Sequence, residues 1–257
     1  MSSNPSVHIR VVSPISTIGF RVPGALASLE SEGVIVSGSQ ITRGPGSIES
    51  EYETAMAVPD TVARIVEAER EGVDAVIIDC MGDPGLRPAR EAVRIPVLGP
   101  CQTGMHIAAM LGHKFSIVTV MRRLRPGFEN QAAVAGLTSR LASVRSVDIP
   151  VLELEKDMVV TRAALVDEAQ KAVEIDGAEA IIFGCTGLLG CAADVREGLL
   201  MRGIDIPVID PIPTAVNVAV ALVRSHLSHS ELTFPLPPIK AMPGYEFMPD
   251  LHLKAAE

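Results

Sequence analysis

Short apolar runs punctuated by Gly and Pro recur along this chain. In the first half they are Ile9 to Val12, Gly33 to Ser37, Ala75 to Asp79 and Val97 to Gly99. In the second half they are Ser116 to Val120, Ser143 to Ile149, Ala180 to Phe183 and Val208 to Asp210. Apolar runs without polar alternation predict strands buried on both faces, as in parallel sheets. Between them lie stretches of helical periodicity, such as Thr61 to Glu71 and Ala163 to Asp176, with Gly72 and Gly177 as helix stops. The alternation predicts βαβ crossovers and an α/β fold with parallel sheets.

The pattern repeats. GVDAVIIDC from Gly72 to Cys80 is matched by GAEAIIFGC from Gly177 to Cys185, an offset of 105 residues. Further on, Ile95-Pro96-Val97 is matched by Ile206-Pro207-Val208 after a six-residue insertion. Two copies of about 100 residues imply two similar units, because solenoids use more and shorter repeats. The expected division is 1–105 plus 217–257 for one domain and 106–216 for the other. Helices at Gln102 to Leu111 and Pro213 to Leu227 would connect them across a cleft. The Pro-rich tail from Phe234 to Glu257 is expected to wrap the surface or reach a neighbouring subunit.

Composition narrows the picture. Of 257 residues 47% are hydrophobic and only 3% aromatic, so the core must be built from aliphatic side chains. That much apolar surface disfavours disorder. The net charge of -9 argues against general binding to nucleic acid or anionic membrane, but a local site can still take a small anion. Met1 to His8 carries no apolar signal core, and no apolar run is long enough to span a bilayer. Of the four cysteines, Cys80, Cys101, Cys185 and Cys191, none forms a C-x-x-C pair. A soluble cytoplasmic protein with reduced thiols is expected.

Cys80 follows the strand AVIID and Cys185 follows AIIFG, so both are placed at the C-terminal ends of parallel strands. Ligands bind at that edge in open α/β sheets. A helix N-terminus just beyond each cysteine would favour thiolate and lower its pKa from about 8.5. A buried cysteine can also be mere packing, but recurrence at the same place in both repeats weighs against that. Two thiols facing each other across a cleft suit two-base proton transfer at one carbon. Backbone N–H groups after each cysteine would then stabilise the enolate oxygen. No further ligands share the symmetry, so no metal site is expected.

The motif Cys80-Met81-Gly82-Asp83-Pro84-Gly85-Leu86 with Ala89-Arg90-Glu91-Ala92 resembles the first cysteine motif of hydantoin racemases. Gly44-Pro45-Gly46-Ser47-Ile48-Glu49 resembles that family's GPxSIE segment, and Gly184-Cys185-Thr186-Gly187 its second cysteine motif. From about His8 to Leu227 the chain is similar to the wider aspartate/glutamate racemase superfamily. The resemblance implies two Rossmann-like domains related by pseudo-twofold symmetry, an active site in the cleft, no cofactor, a small-molecule substrate and a homo-oligomer. It implies racemisation of 5-substituted hydantoins or of allantoin, with Cys80 and Cys185 as the acid/base pair. Candidate substrate-binding residues are Ser13, Ser16, Thr17, Ser47, Gly82, Asp83, Thr186 and Gly187. Asp83 has three readings: a helix cap, a ring contact, or a neighbour that tunes the Cys80 thiol. Members of the family carry Asn-Pro-Asn-Thr after the first strand. Here Ser13-Pro14-Ile15-Ser16-Thr17 and then Gly19-Phe20-Arg21 stand in its place. Ser13, Ser16 or Thr17 would take over part of the amides' role. Arg21 and the Arg122-Arg123 pair either face the cleft and favour a carboxylated substrate or sit in solvent.

Other residues are expected to be peripheral. Cys101 and Cys191 read as packing, and His226 and His229 as surface or interface histidines. His106 reads as structural, and Tyr52 and Glu53 as pocket-rim residues. Gly44-x-Gly46 is not a dinucleotide fingerprint. Competing functions are an amino-acid racemase, a maleate-type isomerase with a nucleophilic cysteine, and a non-catalytic ligand-binding module. Arylmalonate decarboxylases keep only one cysteine of the pair and fit less well.

Overall fold

The computed structural model describes residues 6–21 and 24–251. It contains two four-stranded, all-parallel sheets. The first is built from β1 (Val7–Ser13), β2 (Val34–Gln40), β3 (Ala75–Ile78) and β4 (Val97–Leu98), in the order β2-β1-β3-β4. The second is built from β5 (Phe115–Thr119), β6 (Leu141–Ser146), β7 (Ala180–Phe183) and β8 (Val208–Ile209), in the order β6-β5-β7-β8. The helices are α1 (Glu51–Arg70), α2 (Leu86–Ala92), α3 (Pro100–Leu111), α4 (Arg125–Val134), α5 (Met158–Glu174), α6 (Ala192–Met201) and α7 (Pro211–Arg224). The two strand orders are the same order read from equivalent strands, which is the repeat in three dimensions.

Both central strands are apolar because both faces of each sheet are covered. Ala75 and Ile77 of β3 face one helix layer, and Val76 and Ile78 face the other. Each such fully buried Ile contributes about 1.5–3 kcal/mol of apolar burial. On the first sheet α1 and α2 cover one face and α7 the other. On the second sheet α5 and α6 cover one face, and α3 and α4 the other. Each connecting helix therefore packs on the opposite half. Cys101 and Met105 of α3 sit with Phe115 and Ile182 of the second sheet. Ile212 and Ala215 of α7 sit with Ile9 and Ile77 of the first.

Helix α1 starts ten residues earlier than its periodicity predicts. Ser50 caps it, its Oγ accepting the Glu53 N–H at 3.2 Å, while the Glu53 carboxylate takes the Glu49 N–H at 2.7 Å. This is a variant of the Ser-x-x-Glu capping box, with the carboxylate taking the Ser50 hydroxyl and the amide one residue before the cap. The helix then runs through Pro59, which breaks the amphipathic pattern of its first half. Gly72 and Gly177 follow α1 and α5 at φ of 80° and 74°, a conformation that favours glycine. The tail wraps the first half: Phe234 lies against Arg87 and Arg90, and Met248 and Leu251 pack on the α1–α2 layer. Tail residues 252–257 lie outside the described residues. Among the described residues no helix is long and apolar enough to cross a membrane.

Candidate active site

The ladder runs one residue past each central strand. Asp79 N–H donates to Val12 O and Gly184 N–H donates to Val118 O, each at 2.8 Å. Cys80 and Cys185 are thus the first residues free of their sheets, at equivalent positions. Both open into one cavity of about 240 Å³. Each sulfur accepts the backbone N–H two residues on, from Gly82 and from Gly187, both at 3.3 Å. Of the backbone N–H groups after each cysteine, these two are directed at the sulfurs.

The apolar part of the cavity comes from Ile15, Phe20, Ile48, Leu124, Phe128 and Val151. The polar part includes Thr54, Glu51, Gln131 and Arg123. Helix α4 closes one side, and its Gln131 amide donates to Met81 O at 3.0 Å, tying the wall to the Cys80 turn. On the far rim Glu49 accepts the Val151 N–H at 2.8 Å, joining the two halves above the thiols.

Burial pushes both thiols up, against the expected lowering. For Cys185 burial outweighs the Gly187 N–H and the Arg21 charge, and its pKa reaches about 11. For Cys80 burial outweighs the Gly82 N–H, and Cys185, Asp83 and Asp79 add to the rise. The expected helix termini are missing at the sulfurs. A 3-10 turn (Thr186–Leu188) follows Cys185, and α2 begins six residues after Cys80.

Of the substrate-binding candidates, Gly82 and Thr186 line the cavity with the cysteines. Gly187 lies against the Cys185 sulfur. The Thr186 hydroxyl donates to Asp79 O at 3.1 Å, across the halves. The others stand behind the wall. Ser13 is buried and donates to Asp79 Oδ2 at 3.0 Å. Ser16 donates to Pro45 O at 3.1 Å and Thr17 to Gly46 O at 2.6 Å, so both fasten the 44–46 loop. Ser47 is half-buried in that loop, outside the lining. Asp83 caps a helix, but α3 and not its own. Its carboxylate accepts the Cys101 and Gln102 amides at 3.0 and 2.9 Å. Burial raises its pKa to about 7 despite those bonds.

Arg21 is no free anion receptor. Its Nε and Nη2 clamp Asp79 at 2.7 and 2.5 Å, and Nη2 also donates to Thr186 O at 2.7 Å. Arg122 pairs with Asp148 at 3.7 Å, while exposed Arg123 reaches the cavity. Tyr52 is exposed and Glu53 is spent in the helix cap, so neither rims the pocket. Cys101 and Cys191 are buried outside the lining. His106 bonds its own helix through Gln102 O. His226 is exposed, while His229 is half-buried: its Nε2 accepts the Val97 N–H at 2.8 Å at the edge of β4, and burial lowers its pKa to about 4. Among the described residues no three His, Cys, Asp or Glu side chains group closely enough to hold a metal ion.

Sequence reasoning missed Asp79, Phe128 and Gln131. A carboxylate ending an all-apolar buried strand was the available signal for Asp79. Nothing in the weak periodicity of α4 marks Phe128 or Gln131.

Residues 22–219 match the family Asp/Glu/Hydantoin racemase. A hydantoin racemase of Rhizobium meliloti is 35% identical over 243 residues, 93% of this chain and 99% of that one. The structure of an allantoin racemase from Klebsiella pneumoniae superposes with a TM-score of 0.87 at 29% identity, covering 95% of this chain and 100% of that one. An allantoin racemase from Pseudomonas fluorescens gives 0.85 at 33% identity, covering 93% and 100%. The chain belongs to the Asp/Glu/hydantoin racemase family. Within it, this protein is an isomerase of the racemase type.

Proposed function

We propose that the chain is a cofactor-independent racemase of hydantoin-like rings, a 5-substituted hydantoin or allantoin, working by proton transfer between Cys80 and Cys185. The observation that carries this reading is that two thiols from equivalent sheet ends open into one small cavity. One thiolate takes the proton from the ring carbon: an S–H bond forms, the C–H bond breaks, and the pair delocalises into the adjacent carbonyl. The other thiol then gives its proton to the opposite face and becomes the thiolate. Charge and protons balance, and the site is left poised for the reverse direction. The desolvated cavity that raises both thiol pKa values also makes either thiolate a strong base. The ring is favoured over an acyclic carboxylate because Asp79 engages Arg21, and the lining sets Arg123 against the two carboxylates Glu51 and Asp79.

Pure enantiomers of hydantoins with neutral and acidic substituents, of allantoin and of free amino acids should be followed by optical rotation. Loss of rotation is expected for the rings; loss of rotation for amino acids alone, or isomerisation of maleate alone read by absorbance, would overturn the reading. In heavy water the wild type should exchange the ring proton of both hands. Cys80→Ala and Cys185→Ala should each lower racemisation by at least ~10²-fold. Each single variant should retain exchange for one hand only, and the two should prefer opposite hands. Full racemisation by either would exclude the two-thiol route.

A further inference from the structure

The repeat is broken at one point beside the thiols. The residue before Cys80 is Asp79, and the residue before Cys185 is Gly184. The difference is enforced: a Cβ at Gly184 would stand 2.5 Å from Thr119 Cβ and 2.8 Å from its Cα. No carboxylate can therefore mirror Asp79. The Asp79 side chain is fully buried and held by Ser13 and by the two-pronged grip of Arg21. The same guanidinium crosses to the other half and bonds the carbonyl of Thr186, directly after Cys185. Its neighbour Phe20 would stand 3.6 Å from a Cβ at Gly187, within the Cys185 turn. The cation is thus placed at the Cys185 turn and the anion at the Cys80 turn.

We propose that the Arg21–Asp79 pair decides which thiol ionises first in the empty site, making Cys185 the thiol that supplies the thiolate and Cys80 the protonated acid. The proposal rests on the two-thiol reading above. Arg21 and Asp79 act as positioning residues, since neither donates a proton to substrate. The charged groups acting on Cys185 are Arg21, which favours its thiolate, and Asp79 and Glu49, which oppose it. Those acting on Cys80 are Cys185, Asp83 and Asp79, all negative when ionised. From the other walls, Glu51 of α1 and Arg123 beside α4 face the shared cavity with opposite signs. The consequence is that one enantiomer meets an enzyme ready to react, while the other waits for the proton to change places.

The test measures iodoacetamide labelling of each cysteine against pH, resolved by peptide mass, without substrate. The pH midpoint reports ionisation and is insensitive to access. In the wild type Cys185 should show the lower midpoint. Asp79→Asn leaves Arg21 uncompensated and should lower the Cys185 midpoint. Arg21→Gln should raise it, and labelling near pH 9 should slow about tenfold if the midpoint climbs by about one pH unit. A purely structural role for the pair would move both variants in the same direction. A lower midpoint at Cys80 in the wild type, or movement in one direction in both variants, overturns the proposal. If Arg21→Gln does not fold, the wild-type order and Asp79→Asn decide. Correct ordering in a protein that racemises no hydantoin would uphold the charge assignment and sink the substrate reading. Racemisation with the reversed order would do the opposite.

Discussion

The carboxyl of Asp83 lies under the first turn of α3, where two amides point at it and the Arg90 charge also favours its ionised form. Burial wins over those bonds and brings its pKa to about 7, against an ordinary 3.8. A folded pKa above the unfolded one means that the fold prefers the protonated form. The stabilisation is full below about pH 4 and is lost as pH rises through about 7. Thermal melts should therefore show stability falling over that window. Asp83→Asn, neutral throughout, should flatten the slope; an unchanged slope would place the titration elsewhere. The same sign rule applies to Cys185. Its unfolded thiol ionises near 9.0 and its folded thiol near 11, so stability should fall between those values. Cys185→Ala should remove part of that fall, read from melting temperature in alkaline buffers.

At the scale of the element, the site depends on close approach at the end of β7. Gly184 passes Thr119 of β5 so tightly that a methyl group would meet backbone as well as side chain. Gly184→Ala should destabilise the fold by ~1–3 kcal/mol, the usual cost of overpacking. Because Cys185 is the next residue, racemase activity should fall more than a loss of folded protein explains. Urea titration beside a specific-activity assay separates the two effects. Elements of this kind were largely legible in the chain. The strands, the repeat and the placement of Cys80 and Cys185 followed from unbroken apolar runs ending in Asp-Cys and Gly-Cys, whereas Gly82 and Thr186 came from the family resemblance. Where local pattern was weak, legibility failed. Pro59 and the polar residues around it hid the first turns of α1, and the sequence RPGFENQAAV carries too little periodicity to announce α4. The Arg21–Asp79 clamp was illegible for another reason. Its partners are 58 residues apart, and Arg21 alone does not show whether it will meet solvent, substrate or a buried carboxylate. The thiol pKa direction failed because strand-end position announces a helix dipole, whereas depth of burial is a property of the assembled halves.

At the scale of the whole molecule, the two connecting helices govern how the halves depend on each other. We propose that the halves are domains, divided as 1–105 plus 217–257 and 106–216, with each boundary inside a connecting helix. Helix α3 leaves the first sheet and covers the second, while α7 leaves the second and covers the first. Each sheet therefore has one face whose cover belongs, in chain order, to the other half. Unfolding either half alone would strip α3 or α7 from its sheet and expose residues such as Met105 and Phe115, or Ile212 and Ile77, which are fully buried. At about 25 cal/mol per Å² of apolar surface, stranding even a few such side chains costs several kcal/mol. That is comparable to the whole stability of an ordinary domain. The halves should therefore lose structure in a single transition despite their separate sheets. Four hydrogen bonds at the cleft tighten the link: Arg21 to Thr186, Thr186 to Asp79, Val151 to Glu49 and Gln131 to Met81. The cysteines supply a reporter in each half. Cys101 is covered by the second sheet, Cys191 lies under α6 and α5, and Cys80 and Cys185 mark the cleft. Pulsed alkylation along a urea gradient, read by peptide mass, should give one midpoint for all four thiols, coincident with the loss of helical circular dichroism. Two midpoints, with Cys80 exposed well before Cys191, would show that the halves unfold independently and that the exchanged helices do not couple them.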